Sequence, residues 1–168
     1  MRVLFEHWWK VSYYHPLTGE RWERSAKNLI PTQMLNSILN ADQDPPNSGY
    51  ALQFYIGLVD LAGFSAYAAA DTAASHAGWA ENTDYDEATR QALVRSNSTA
   101  AAWDNVGNEA VFTMNATGTL KGFFIQSASA KGSTAGILGG EVNFTGGNEA
   151  FTPGGVLTVT IEGTAASA

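Results

Sequence analysis

The chain has 168 residues, 45% of them hydrophobic and 11% aromatic, which is enough to bury the core of one domain. Only 15% of the residues are charged and the net charge is −7, which argues against a nucleic-acid-binding surface, because such a surface needs a basic patch. The chain contains no cysteine, and disulfides and thiolate metal sites are therefore excluded.

The sequence carries no signal for a membrane. It has no run of eighteen apolar residues, so we expect neither a membrane span nor a membrane partner. The first residues lack the long apolar core and the cleavage site of a secretory signal. We therefore expect a soluble product that is made in the cytosol and is not cleaved.

The first part of the chain predicts a β-hairpin followed by a short helix. Aromatic and β-branched residues from position 3 and a turn at 16–20 indicate a hairpin over residues 3–26. Apolar residues recur with helical spacing after Pro31, which predicts a helix over 31–40 with an apolar stripe facing the core. A polar loop containing Pro45 and Pro46 follows. We interpret residues 1–49 as an N-terminal arm.

Residues 50–168 predict a β-sandwich body. A buried strand is expected at 52–60, and residues 68–77 have the composition of a short helix. Residues 87–94 fit either a short helix or a turn that leads into an edge strand. Beyond Ser96, turn-rich segments separate four apolar runs at 110–115, 119–126, 136–144 and 155–162. The prediction is a mainly β chain, an antiparallel sandwich of jelly-roll or immunoglobulin-like type, with a tail from Gly163 that is frayed or lightly held.

The segment 67–95 concentrates residues of distinctive chemistry. Asp71, Ser75 and His76 have the residue types of a hydrolase triad, but side chains four and five positions apart on one short segment cannot converge as a triad requires. A bound cation is the alternative, yet the acidic run at 84–87 lacks the glycine and spacing of an EF-hand. We therefore predict no catalytic, cofactor or metal residues.

We expect the same segment to form a packed structural corner instead. In this interpretation Asp71 caps a turn, the backbone satisfies His76, and Trp79 is packed. The charge of Arg90 is paired with either Glu81 or Asp86, because buried charges persist only when they are paired.

The N-terminal hairpin is rich in aromatic side chains. Two uses fit such a set, a platform on which sugars stack and a surface for contact with another protein. Contact with another protein is the preferred interpretation. The tentative interface residues are Trp8, Trp9, Tyr13, Tyr14 and Trp22.

Several short strings resemble a family of small virion structural proteins of tailed bacteriophages. They are Y-I-G-L at 55–58, D-T-A-A-S-H-A-G-W-A-E at 71–81, Tyr85, Arg90, and K-G-F-F at 121–124. The similarity extends over most of the chain, and the 71–81 string is its most specific part. Members often have Met where Ala73 stands here.

The resemblance implies a non-enzymatic component of the virion, assembled in the host cytoplasm, and specifically a capsid decoration or cement protein. Its expected partners are the major capsid protein or another virion protein and further copies of itself, with a trimer favoured. Two alternatives remain open. One is a tail component such as a fibre, an adaptor or a receptor-binding module, and the other is a hydrolase that acts on the host envelope.

Overall fold

The computed structural model describes residues 3–43, 53–96, 100–145 and 147–167. Two antiparallel sheets pack against each other, which confirms the predicted mainly β sandwich. In chain order the elements of these residues are β1 (Val3–Tyr14), β2 (Arg21–Lys27), α1 (Thr32–Gln43), β3 (Tyr55–Asp60), β4 (Glu81–Asn82), β5 (Gln91–Ala92), β6 (Ala102–Asp104), β7 (Ala110–Thr113), β8 (Gly118–Gln126), β9 (Leu138–Asn143), β10 (Glu149–Phe151) and β11 (Val156–Ser167).

The first sheet is built around β1. This strand pairs with β2 on one edge and with β11 on the other, in continuous register from Val3 opposite Ser167 to Tyr14 opposite Val156. The far edge of β11 pairs with β6 and β7. The predicted hairpin therefore forms, but it is part of the sandwich and not a separate arm. The predicted boundary between residues 49 and 50 lies outside the described residues.

The second sheet is built around the pair β3 and β8. The other edge of β8 holds β9 and β10, and the other edge of β3 holds β4 and β5. β5 is the edge strand that was one of the two alternatives for residues 87–94. Of the two predicted states of the tail, the frayed one is wrong, because β11 continues to Ser167 and is paired with β1 over that length.

The main core lies between the two sheets and is largely aromatic. Trp9 of the first sheet stacks on Phe123 of the second, with ring centroids 5.8 Å apart and planes 7° from parallel. Trp22 stacks on Tyr13 at 5.2 Å and meets the edge of Phe144 at 5.8 Å. The buried side chains of Trp9, Val11 and Tyr13 alternate along β1 with side chains on the opposite face, and this alternation fixes the register of the strand.

A second, smaller core lies on the opposite face of the second sheet. Val59, Phe124 and Leu138 point to that face and are covered by the segment 61–80, chiefly by Ala73 and Trp79. The helix predicted at 68–77 is absent from this segment, which consists of turns and a bridge between Thr72 and Ser75. Side-chain bonds to nearby backbone, such as Ser75 N–H to Thr72 Oγ1 at 3.0 Å, replace the helical ladder.

The helix α1 begins close to the predicted position and holds the covering segment in place. Gln33 Oε1 accepts hydrogen bonds from Ala73 N at 3.1 Å and from Leu138 N at 2.9 Å. One side chain thus joins the helix, the covering segment and β9. The apolar stripe is only partly buried, because Leu35 is exposed on the outer side of the helix.

Residue 122 of the K-G-F-F string has to be glycine because the backbone of Val142 lies very close to it. A Cβ atom at this position would collide with the carbonyl of Val142, and would lie 2.9 Å from the Tyr67 hydroxyl that donates to the same carbonyl. We expect Gly122→Ala to lower the free energy of unfolding by about 1–3 kcal/mol, measured by urea denaturation. Gly140→Ala is the matched control, because its Cβ would be close to a side chain and not to backbone: it would lie 2.7 Å from the Asn28 amide nitrogen and in ordinary contact with Ile125 at 3.5 Å. Equal losses in the two variants would contradict this account.

Candidate functional site

Arg90 is the centre of the most highly connected polar cluster. Its guanidinium is 2% exposed and forms a bidentate ion pair with Glu81, with Nε–Oε1 and Nη2–Oε2 distances of 2.8 Å each. Two further N–H groups donate to the carbonyls of Ala128 at 2.9 Å and Ser133 at 3.1 Å. The charge lies 4.9 Å from the centre of the Phe124 ring. Arg90 therefore joins three segments of chain in one rigid contact.

Of the two partners proposed for Arg90, the structure brings Glu81 to it and not Asp86. Asp86 N–H donates to the Thr113 carbonyl at 2.9 Å, which places the acidic loop at the end of β7. Both Glu87 carboxylate oxygens accept from Thr113 N–H, and Lys131 lies 3.7 Å from the centre of the Tyr85 ring. The loop is thus fastened to the sandwich at several points.

Asp71, His76 and Trp79 form the second half of the corner. Asp71 Oδ2 accepts hydrogen bonds from the Trp79 indole at 3.2 Å and from Ala68 N–H at 3.0 Å. The His76 ring stacks on Trp79 at 3.9 Å, and its Nδ1 lies 3.2 Å from the Trp79 carbonyl oxygen. The hydrogen bonds of these side chains in the described part of the chain do not link Asp71, Ser75 and His76 to one another. Their contacts are those of a packed corner.

Glu141 of β9 belongs to the same region, and the sequence interpretation did not single it out. Its side chain is fully buried, and neither carboxylate oxygen has a hydrogen-bond partner among the described residues. Burial, and secondly the charge of nearby Asp71, raises the pKa of Glu141 to about 8. Its charge in turn contributes to a raised pKa of Tyr67, whose main cause is burial. In the sequence, the signal that could have identified this site is a single acidic residue within the apolar run at 136–144.

His7 of β1 is a second titratable group with a shifted pKa, and its side chain is partly buried. Burial lowers its pKa to about 4, so that the ring is neutral at physiological pH. Its Nδ1 lies 3.1 Å from the Asn28 amide nitrogen, and its ring meets the edge of Trp103 at 5.4 Å. Within the residues that the structure describes, no group of three or more His, Cys, Asp or Glu is arranged to hold a metal ion.

The aromatic residues of the hairpin are divided between two faces of the first sheet. Trp9 and Tyr13 are 2% and 1% exposed and lie in the core, and Trp22 packs against it. Trp9 and Tyr13 are therefore not available to a partner, which corrects the proposed five-residue interface at these two positions, and Trp22 is only partly exposed. Trp8 and Tyr14 are 47% and 46% exposed, because side chains alternate between the faces of a strand.

We call the face that carries Trp8 and Tyr14 the outer face of the first sheet. Strand register places side chains of β1, β2, β6, β7 and β11 on it. Lys10 and Glu23 form an exposed ion pair at 3.2 Å, and Arg21 lies 5.7 Å from the centre of the Tyr14 ring. The other residues of the face are Ser12, Ser25, Lys27, Asp104, Val111, Thr113, Val156, Thr158, Thr160 and Glu162.

No protein-family model matches the chain, and no curated protein matches it either. The resemblance carried by the 71–81 string therefore stays a prediction. The described part of the chain contains no helix long and apolar enough to cross a membrane.

Proposed function

We propose that the protein is a non-enzymatic structural protein of a tailed-bacteriophage virion, and that it decorates the capsid. The observation that carries this proposal is the outer face of the first sheet. Trp8 and Tyr14 stand about 20 Å apart on it, and no other described element covers them. Exposed aromatic side chains on an uncovered sheet are typical of a surface that meets another protein.

The dimensions of this face support contact with a folded protein. β1 and β11 have twelve residues each, β2 has seven, and β6 and β7 have three and four, which gives a face of roughly 600 Å² at about 3.3 Å per residue and about 4.8 Å between strands. Stable protein interfaces bury about 600–1,000 Å² on each partner. The area of the face therefore lies at the lower end of the range for contact with one protein neighbour.

The corner supports the proposal in a different way. The residues of the 71–81 string that look reactive in sequence are used in holding the covering segment on the second sheet. Asp71 accepts from Trp79, and Glu81 holds Arg90. In this proposal the residues of the string stabilise the fold and carry out no reaction, as is expected of a structural component of the virion.

A tail component that binds host surface sugars is the second candidate, and the exposed Trp8 ring is the observation that favours it. Indole rings stack on the apolar faces of sugars, and a single accessible ring suffices for such a contact. This alternative predicts binding to the host envelope instead of the capsid.

Pelleting of undecorated capsids tests the two candidates together. Purified protein is mixed with capsids of the source phage or with host envelopes, and each is sedimented over a range of protein concentrations. We expect saturable binding to capsids and none to envelopes. Binding to envelopes alone would contradict decoration and support the tail assignment.

A further inference from the structure

We propose that Asp71 and Glu141 share one proton that fastens the covering segment 61–80 to the second sheet, so that the segment opens more easily as pH rises and this proton is lost. Opening uncovers the apolar face of the sheet around Phe124. The pair lies on the second sheet, so the opening does not depend on what the outer face of the first sheet binds.

The two carboxyl groups come from opposite sides of the contact between the segment and the sheet. Glu141 is fully buried in β9 and lies opposite Phe124 of β8, so its side chain points to the covered face. Asp71 is 8% exposed and reaches the Glu141 carboxyl group from the covering segment, within hydrogen-bonding distance. Two carboxylates only accept hydrogen bonds, so they bond to each other only when one of them carries a proton. The shared proton therefore gives the Glu141 carboxyl group a partner, which its oxygens otherwise lack among the described residues.

The shared proton is carried by Glu141. Asp71 Oδ2 already accepts hydrogen bonds from the Trp79 indole at 3.2 Å and from Ala68 N–H at 3.0 Å. Burial, and secondly the charge of Asp71, raise the pKa of Glu141 to about 8. When the segment is open, water reaches Glu141 and its proton leaves at the ordinary carboxyl pKa. Opening therefore becomes easier as pH rises towards about 8, and no easier above it.

The other titratable and charged groups that border the pair have partners of their own. Tyr67 keeps its proton because burial raises its pKa, and its hydroxyl donates to a β9 carbonyl at 3.0 Å. His76 stacks on Trp79, and its Nδ1 lies 3.2 Å from the Trp79 carbonyl oxygen. Arg90, which contacts a ring of β8, is paired with Glu81. The pair thus depends on its own proton.

The covering segment is built so that part of it can move as a unit. Residues 65–78 form a loop whose ends are joined, because Ser65 N–H donates to the Gly78 carbonyl at 2.8 Å. Between these ends the segment consists of turns and a bridge and forms no strand. Side chains such as Gln33 and Tyr67, and a backbone hydrogen bond from the start of α1, hold the loop on the sheet. Few contacts of this kind have to break for a local opening.

A single introduced thiol tests the opening, because the chain has no cysteine. Ala73→Cys places the thiol under the segment and Ala26→Cys places it in the main core, at positions that are 0% and 4% exposed. Each labelling rate is divided by that of the urea-unfolded chain at the same pH, which corrects for ionisation of the thiol. For Ala73→Cys we expect a rise of at least about tenfold between pH 6.5 and 8, and a constant rate above pH 8.

The control position separates local opening from unfolding of the whole chain. Ala26→Cys should be labelled at least about tenfold more slowly at pH 8, because only loss of the main core exposes it. Proteolysis of the unmodified chain is a second measurement, in which cleavage within residues 65–78 should be faster at pH 8 than at pH 6.5. Equal labelling at the two positions, or no rise at Ala73→Cys, would overturn the proposal.

Substitutions of the two acids identify the shared proton. In the Ala73→Cys chain, Glu141→Gln should abolish the rise, and Asp71→Asn should make it about threefold smaller, because the Asp71 charge no longer helps to retain the proton. Glu162→Gln removes an exposed acid of the outer face and should leave the rise unchanged. A rise that persists in Glu141→Gln, or that is unchanged in Asp71→Asn, would contradict the shared proton. Suppression of the rise by millimolar Ca²⁺ would contradict it too, since a cation would then hold the pair together.

Discussion

Replacing Arg90 by methionine is expected to lower the free energy of unfolding by about 3–5 kcal/mol, measured by urea denaturation. The substitution keeps much of the side-chain volume but removes the charge that neutralises Glu81. The Glu81 side chain is 7% exposed, so that a buried carboxylate would be left without its cation. The carbonyls of Ala128 and Ser133 would also lose their donors.

Two controls separate the buried pair from charge in general. Lys10→Met breaks the exposed pair with Glu23, whose side chains are 59% and 61% exposed, and should cost less than about 1 kcal/mol. Arg90→Met/Glu81→Gln removes both charges and should be less destabilised than Arg90→Met alone. If Arg90→Met were as mild as Lys10→Met, the corner would not depend on this pair.

The free energy of unfolding is expected to fall as pH rises from about 6.5 to about 8, with Glu141 as the cause. The raised pKa means that the folded chain keeps a proton on Glu141 that the unfolded chain has already lost. One such proton changes stability by roughly 1.4 kcal/mol per pH unit. This contribution is complete below the ordinary carboxyl pKa and is lost as pH passes through about 8.

His7 opposes Glu141 at lower pH. Because its pKa is lowered, His7 is protonated in the unfolded chain and neutral in the folded chain between about pH 4 and 6.5. The contribution of His7 to the free energy of unfolding therefore falls as pH decreases. The two slopes have opposite signs between about pH 4.5 and 6.5, where they should nearly cancel. The free energy of unfolding contributed by these two groups is therefore nearly constant between about pH 4.5 and 6.5, and it falls between about pH 6.5 and 8.

Glu141→Gln tests this assignment, because the amide has nearly the same shape and does not ionise. Urea denaturation at several pH values should show that the decline between pH 6.5 and 8 disappears in the variant. Between pH 4.5 and 6.5 the variant should instead show stability rising with pH, since His7 then acts unopposed. A decline of unchanged slope in Glu141→Gln would contradict the role given to this residue.

The longer elements of the fold could be predicted because local pattern determines them. Alternation along β1 and β11, the turn between β1 and β2, and the helical spacing before α1 are all visible in sequence. The strands β4, β6 and β10 were not predicted. Each has only two or three residues, which is too short for a period to be recognised.

The remaining features depend on contacts between distant parts of the chain. The pairing of β1 with β11 joins the two ends of the sequence, and nothing local indicates it. The same is true of Glu141 and Asp71, which are 70 positions apart and meet only because the covering segment folds over the second sheet. The pairing of Arg90 with Glu81 could be predicted as one of two choices, because Glu81 and the alternative partner Asp86 are both close to Arg90 in sequence.

The hairpin is an element that the sequence predicts correctly, but the predicted exposure of its side chains is partly wrong. Five of its aromatic residues are predicted to form one interface, whereas strand alternation assigns Trp9 and Tyr13 to the core and Trp8 and Tyr14 to the surface. Because β1 is an interior strand, deletion of residues 1–26 would remove the centre of the first sheet. Substitution of the two exposed residues is therefore the sharper test of the surface.

Labelling the protein on intact virions tests the proposed function most directly. An antibody raised against the purified chain is coupled to gold and applied to particles of the source phage, and the labels are located by electron microscopy. Decoration predicts labels distributed regularly over the head. Labels confined to the tail, or particles that carry none, would contradict it.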